Sequence, residues 1–322
     1  MLRIEIIRSV QALQPLRHAW DRLYQGGKYT IFQSASWNLL AARIFADRAD
    51  PMIIHAEGGN GAAIIPACVA GGCIYFLGDV LFDYRDTMCA GDEEVLRRAW
   101  QQVAAEHWPL SVTAIHGQQA PTWERLGFSL RTFANAPGVR CADISADEFE
   151  AKHSRSVRLL RRLSRDGVEL RSHQGNQVAL VRHIYESKAH QSPDRCLFND
   201  SARVDFMVAI AGQDPRCEIY TLETAGTLVA ALVTFRDQVV RRFYTIYHDH
   251  RWAHHSPGVA LIYEVTRRSL ADGLDCDYMT GEQSHKLRFA THSVPLFRSE
   301  ATPQQLLRIA HCREGVISPL AA

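Results

Sequence analysis

Residues 218–249 hold the most restrictive pattern in the chain. EIYTLET, TLVAALVTF and QVVRRFYTIYHD are strand-like runs separated by the two-residue turn signals Ala225-Gly226 and Arg236-Asp237. Runs of this kind joined by tight turns form an antiparallel meander. A helical stretch follows, then LDCDYM as a further strand and EQSHKLRFA as a short helical segment. A strand, crossover helix and strand in one sheet pair in parallel with a right-handed connection. The second half therefore predicts a mixed α/β sheet, a meander feeding one strand–helix–strand unit.

The first half reads as a helix near Leu13 to Leu23, stopped at Gly26-Gly27, and a second helix from about Ser36 to Phe45. Strands are expected at Met52–Ala56 and on either side of Gly71-Gly72, then a polar loop, GDVLFDYRDTM, a helix over Glu93–Glu106 and a strand, LSVTAIHG. The segment FANAPGVRCADISADEF lacks helical periodicity and holds turn residues, which places a domain boundary near 145/146. Residues 1–145 and 146–322 are the two expected domains, a division that the length of 322 residues accommodates.

Composition limits the function classes. Hydrophobic residues make up 47% and charged residues 22%, the balance of a globular protein with an ample core. A formal net charge of +1 supplies no global field for nucleic acid or an anionic membrane. Cys68, Cys73, Cys89, Cys141, Cys196, Cys217, Cys276 and Cys312 include no CxxC pair and fit reduced thiols in a cytoplasmic protein. MLRIEIIRSVQAL alternates like a strand and makes a poor secretory signal. The uncharged run Gly58 to Gly78 is broken by Pro66 and Gly71-Gly72, so it reads as two short strands and no membrane span is expected.

The helix after the meander starts with Ser256 as an expected N-cap and Pro257 at the first helical position, and Gly273 closes it. Val259, Ile262 and Val265 supply the core stripe. Gly258 in the first turn costs about 1 kcal/mol against alanine and bares the backbone amides there. Arg251, His254 and His255 crowd donors just upstream. A helix start with free amides suits a phosphate group, so a pyrophosphate site is expected here, beside the plainer reading of a well-capped amphipathic helix.

Meander, loop, helix and further strand together resemble the acyl-CoA-binding core of the GNAT superfamily. HHSPGVA departs from that superfamily's usual Arg/Gln-x-x-Gly-x-Gly/Ala loop and is similar to the CelD/BcsL-type acetyltransferases associated with bacterial cellulose biosynthesis. DYMTGEQSHK resembles that group's Asp-x-x-x-Gly-x-x-x-Tyr-Lys pattern, with Asp277, Gly281 and Lys286 in place and His285 where an aromatic is usual. FQSASW, AAIIPA and LFDYRD agree with its N-terminal half. FemX-type peptidyltransferases, which pair two GNAT-like domains and use aminoacyl-tRNA, carry an element similar to HKLRFA. The resemblance implies two tandem GNAT-like domains, each a mostly antiparallel sheet with flanking helices. It also implies an acyl-CoA co-substrate, acetyl-CoA by default, and an electrostatic role for Lys286.

Acyl transfer from a thioester needs a bound donor, a deprotonated nucleophile, oxyanion stabilisation and a proton for the thiolate. Arg251, His254, His255, Ser256, Gly258, Val259 and Ala260 are the candidate donor-binding residues. Tyr244, Tyr247 and Tyr278 are candidate leaving-group acids; Tyr244 and Tyr247, at odd separation on one strand, are expected on opposite faces. Asp249, Glu282, His248 and His285 are candidate bases, and histidine suits the pH range best. Asp83, Tyr84, Arg85 and Asp86 form a polar loop that in the related family faces an acceptor cleft; Asp249 and Arg155 join them as candidate substrate contacts.

Arg155, Arg158, Arg162 and Arg165 form one basic helical face, either solvated or touching a phosphate-bearing substrate. His248 and His250 would share a strand face, but no ligand spacing completes a metal site and none is expected.

The N-terminal domain shows no glycine-rich helix start and is expected to serve as an acceptor platform without donor binding. The expected activity is N- or O-acyl transfer to a small-molecule or saccharide-linked acceptor. An aminoacyl-tRNA-dependent transferase and a non-catalytic partner in polysaccharide biosynthesis are the alternatives, and the oligomeric state stays open.

Overall fold

The computed structural model describes residues 2–194 and 196–311. Cys312 and the rest of the C-terminal segment lie outside the described residues. The chain forms two compact units, the first built from residues up to 134 together with those from 295 onward, the second from residues 135–294.

In the first unit, β1 (Arg3–Ile7) leads to α1 (Val10–Leu13), α2 (Arg17–Gln25) and α3 (Ala35–Ile44), then β2 (Asp50–Gly58), β3 (Gly61–Ala70) and β4 (Cys73–Phe76). After β5 (Met88–Gly91) come α4 (Glu93–Ala105), β6 (Leu110–His116) and α5 (Ala120–Arg125). The chain passes into the second unit within β7 (Arg131–Val139). Strands β1 to β4 pair as antiparallel neighbours. Gly71 and Gly72 both take positive φ at the β3–β4 turn, a conformation that strains any side chain. Alternating inward residues of β2 and β3, such as Ile54 and Ile65, meet Trp100, Trp123, Phe76 and Phe128 in one core.

In the second unit, α6 (Ala146–Lys152) and α7 (Ser154–Arg165) precede β8 (Glu169–Gln174), α8 (Val178–Gln191) and α9 (Ser201–Gln213). The meander is β9 (Cys217–Thr224), β10 (Thr227–Asp237) and β11 (Val240–His248), followed by α10 (Pro257–Ala271), β12 (Asp275–Asp277) and α11 (Ser284–Leu287). The strand order is β7-β12-β11-β10-β9-β8. As the sequence predicts, β11 and β12 are parallel across the crossover helix, and the other pairs in this unit are antiparallel. Helix α10 covers one face, burying Leu261, Tyr263 and Val265 against Leu222, Leu232 and Phe243. Helix α8 reaches β11 through a 3.1 Å hydrogen bond between the Tyr185 and Thr245 hydroxyls.

Two expectations are corrected. The second meander turn lies at Gln238-Val239, two residues beyond Arg236-Asp237, which still pair with Arg241 and Val240. The C-terminal segment does not stay with the second unit. From Leu296 onward, β13 (His292–Ala301) pairs antiparallel with β6, and α12 (Pro303–His311) places Leu306 in the first core. The expected 146–322 boundary differs there because this strand completes the earlier sheet. No helix among the described residues is long and apolar enough to cross a membrane.

Candidate functional site

The site grows out of the short pairing between β11 and β12. Only Val240, Arg241 and Arg242 have partners on β12, namely Asp275, Cys276 and Asp277. Buried Arg242 clamps the base of this junction, bonding Asp237 at 3.0 Å and Asp277 at 2.5 Å. Beyond it β11 runs from Phe243 to His248 with no β12 partner, leaving a notch along that edge. Lys188 of α8 donates to the Ile246 carbonyl at 2.8 Å. The N–H and C=O of one strand residue leave on the same side, so the Ile246 N–H faces the notch too.

The upper end of the notch is the start of α10. Ser256 occupies the N-cap position in the left-handed region (φ 48, ψ 50), and its side chain makes no capping bond. This corrects the expected cap: a serine caps from extended backbone, which Ser256 does not adopt. The Val259 and Ala260 amides both bond the Ser256 carbonyl at 3.1 Å, so those two expected donors are already engaged by the helix. Pro257 has no amide to give, and no acidic residue lies in the first turn.

Gly258 has an ordinary φ. A Cβ built there would touch Ile246 at 3.5 Å and His248 Nδ1 at 3.6 Å, which is ordinary contact. Nothing in the protein's own packing requires glycine, although glycine weakens a helix.

Upstream, Asp249 takes the Arg251 amide at 2.9 Å and its guanidinium at 2.5 to 3.1 Å. That bonding holds the Asp249 carboxyl below its ordinary range, so it is a poor candidate base, and Arg251 is tethered although its side chain stays largely exposed. The His254 and His255 rings lie with centroids 3.9 Å apart, tilted at 48° to one another. His255 is buried near Asp166 of the α7 end, and burial, His254 and Arg162 hold its imidazole below its usual pKa.

Histidines and lysines converge on the notch. His248 lies against the α10 start, its pKa lowered by burial, then by His250 and Lys188. His285 is lowered by burial and by Lys286, Arg288 and Lys188. Burial also lowers the Lys188 ammonium. Lys286 donates to the Met279 carbonyl at 3.2 Å and the Thr280 carbonyl at 2.7 Å. Asp277 accepts from Met279 N–H at 2.7 Å, and Gly281 takes φ +100. Asp277, Gly281 and Lys286 thus shape one loop beside the notch. Glu282 is exposed on that loop.

Helix α8 carries Val181, Ile184 and Tyr185 on its buried stripe, and Lys188 continues that spacing. A lysine on an apolar stripe is the signal that sequence reading passed over.

Other candidates move elsewhere. The register of β11 shifts opposite Val233/Thr234, and the extra residue reverses side-chain parity. Phe243 and Ile246 consequently both pack with the α10 core. Tyr244 meets Phe235 edge-on at 5.7 Å and Tyr247 accepts from Gln191 of α8 at 3.4 Å, so the two tyrosines share the opposite face rather than dividing between faces. Tyr278 is core: its hydroxyl bonds Thr266 at 3.0 Å and its ring packs on Phe243. Strand β11 ends at His248, so His248 and His250 share no strand face; their rings lie 6.0 Å apart. Among the described residues no group of His, Cys, Asp or Glu could hold a metal ion.

In the first unit the Asp83–Asp86 loop alternates. Tyr84 is buried against Phe32 and His116, and Asp86 is buried under Trp123, whose indole N–H donates at 2.9 Å. Burial pushes the Asp86 carboxyl up to about 7. Neither residue can meet an acceptor from there. Asp83 and Arg85 are partly exposed. Arg155 is exposed on α7.

Residues 151–287 match the family described as "Acetyltransferase (GNAT) domain". A domain assigned to a lysylphosphatidylglycerol synthetase of Agrobacterium fabrum superposes with a TM-score of 0.63 at 12% identity, covering 96% of this chain and 100% of that one. L-PGS from Bacillus licheniformis gives 0.62 at 9%, covering 91% and 95%. FemX gives 0.58 at 9%, covering 95% and 99%. A tandem GNAT protein from the clavulanic acid biosynthesis pathway gives 0.50 at 10%, covering 94% and 99%. No curated protein matches the chain significantly. The fold is a mixed α/β architecture of GNAT-like type, shared with tandem GNAT and FemX-like structures.

Proposed function

We propose that the chain is an acyltransferase that binds an acyl-CoA, acetyl-CoA by default, in the notch of the second unit and passes the acyl group to an amine or hydroxyl. The carrying observation is the unpartnered edge of β11 running into a helix start with no side-chain cap, no acid and a glycine that the fold itself does not need. The donor's diphosphate sits at the Gly258 amide, with the α10 dipole behind it. His254 and the exposed guanidinium of Arg251 flank it.

The Ile246 N–H receives the thioester carbonyl, and Lys286 and Lys188 supply positive charge as the oxyanion develops. His285 or His248, neutral at physiological pH because burial lowers both, takes the proton of the attacking amine or hydroxyl. As the carbon–sulfur bond breaks, the histidine that took this proton passes it to the departing thiolate. The first unit supplies the acceptor platform. Its equivalent helix, α4, is capped by Asp92 and begins with Glu93 and Glu94, which repel a diphosphate.

The exposed arginine face of α7, with Arg162 close enough to His255 to lower its pKa, favours a second reading, an aminoacyl-tRNA donor. Incubation with acetyl-CoA and a panel of amines and alcohols tests the first reading by release of free CoA thiol. Thiol release that depends on an acceptor supports it. No CoA affinity, with transfer from charged tRNA lost on nuclease treatment, replaces it with the second.

A further inference from the structure

The first unit repeats the notch in a different form. Strand β4 pairs in parallel with β6 at Ile74 and Leu110 alone, and then the two strands separate. Between them lies a cavity of about 360 Å³, within the range of small-molecule sites. Its body is apolar, built by Phe45 just after α3, Cys68 and Ala70 of β3, Phe76 of β4 and Leu77 just beyond it. Tyr75 and Val80 also line it and are 40% and 50% exposed, large apolar side chains held at the surface.

The polar part of the lining is one-signed. Arg85 and Arg48 line the cavity, and no carboxylate lines it among the described residues. Arg85 is well fixed: its backbone amide bonds the Ala114 carbonyl at 3.1 Å and its guanidinium bonds Thr113 Oγ1 at 2.9 Å. The Arg48 guanidinium lies 5.7 Å above the Phe45 ring and 3.8 Å from the Asp47 carboxylate, so the anchoring role falls to Arg85. A planar cation held beside an apolar chamber recognises a carboxylate or phosphate attached to a hydrocarbon body.

We propose that this cavity is a binding site for a small anionic amphiphile, an apolar chain or ring ending in one carboxylate or phosphate, with the anionic group at Arg85. This site is separate from the donor notch of the second unit and stands whether or not that notch holds CoA.

Calorimetric titration of the full chain with decanoate, decyl phosphate, decylamine and decanol tests it. Binding is expected for the two anions, with decanol weaker by about tenfold and decylamine weaker still. Arg85→Gln should weaken the anions about tenfold or more while changing decanol little. Ala70→Phe, which fills the chamber from a partly exposed strand end, should abolish binding of all four without altering the CoA titration. Whichever of decanoate and decyl phosphate binds tighter identifies the headgroup. Absence of anion binding to the wild-type chain overturns the proposal, as does anion binding unmoved by Arg85→Gln; should Ala70→Phe fail to fold, the Arg85→Gln result decides.

Discussion

The two units carry the same device with opposite chemistry. In each, a strand pairs briefly in parallel with the strand beyond a crossover helix and then parts from it, at Ile74 in the first unit and at Arg242 in the second. In the second unit the gap leads to an uncapped, glycine-bearing helix start without acids, and histidines and lysines gather beside it. In the first, the helix start is closed by Asp92 and made negative by Glu93 and Glu94, and the gap opens into an apolar chamber. The two openings thus differ in what borders them, an uncapped helix start with histidines and lysines in the second unit and an apolar chamber with Arg48 and Arg85 in the first.

That contrast can be broken at several points. Lys286→Ala should lower kcat at least about a hundredfold while leaving CoA affinity nearly unchanged, because its charge acts on the developing oxyanion. An unchanged kcat, read in a steady-state assay, would reduce Lys286 to the loop support that its bonds to Met279 and Thr280 provide.

Asp86→Asn separates core from acceptor platform. A folded-state pKa raised to about 7 means that the wild type loses stability as pH climbs from about 4 to about 7, with the penalty constant above that. The variant escapes this, so in denaturant titrations it should gain on the order of 4 kcal/mol relative to wild type between those pH values. Loss of acceptor affinity without that gain would return Asp86 to the substrate.

Lys188→Met should lower kcat about tenfold. Its cation is one cause of the lowered His248 and His285 pKa values, so removing it raises both. The acid limb of the pH–rate profile then moves to higher pH; a profile that stays in place denies either histidine the role of base. Arg251→Ala should change CoA affinity by less than about threefold, since Asp249 already holds that guanidinium at the surface.

Much of this was legible in sequence. Period-two runs and the Ala225-Gly226 turn gave the meander, and Pro257 and Gly273 bounded α10 correctly. What failed has identifiable causes. A single extra residue in β11 reversed parity and brought Tyr244 and Tyr247 to one face, which no alternation rule foresees. The left-handed Ser256 is set by the preceding turn, not by its side chain. Asp86 reads as part of a polar loop facing an acceptor, yet Phe82, Tyr84 and Asp86 alternate inward like a strand. Lys188 was missed because it stands far from the loop motifs in sequence and meets them only through α8. The return of β13 to the first sheet is a long-range pairing that carries no local signal.

Isothermal titration of CoA into wild type, Gly258→Ala and Gly258→Asp tests the diphosphate site most directly. The wild type should bind. Gly258→Ala should bind about tenfold more weakly while unfolding with up to about 1 kcal/mol greater stability, since alanine favours the helix and its Cβ meets only ordinary contacts in the protein. Gly258→Asp should lose at least about a hundredfold through like charge at the same amide. Equal heats for all three folded proteins, or none for the wild type, would contradict a donor held at the start of α10.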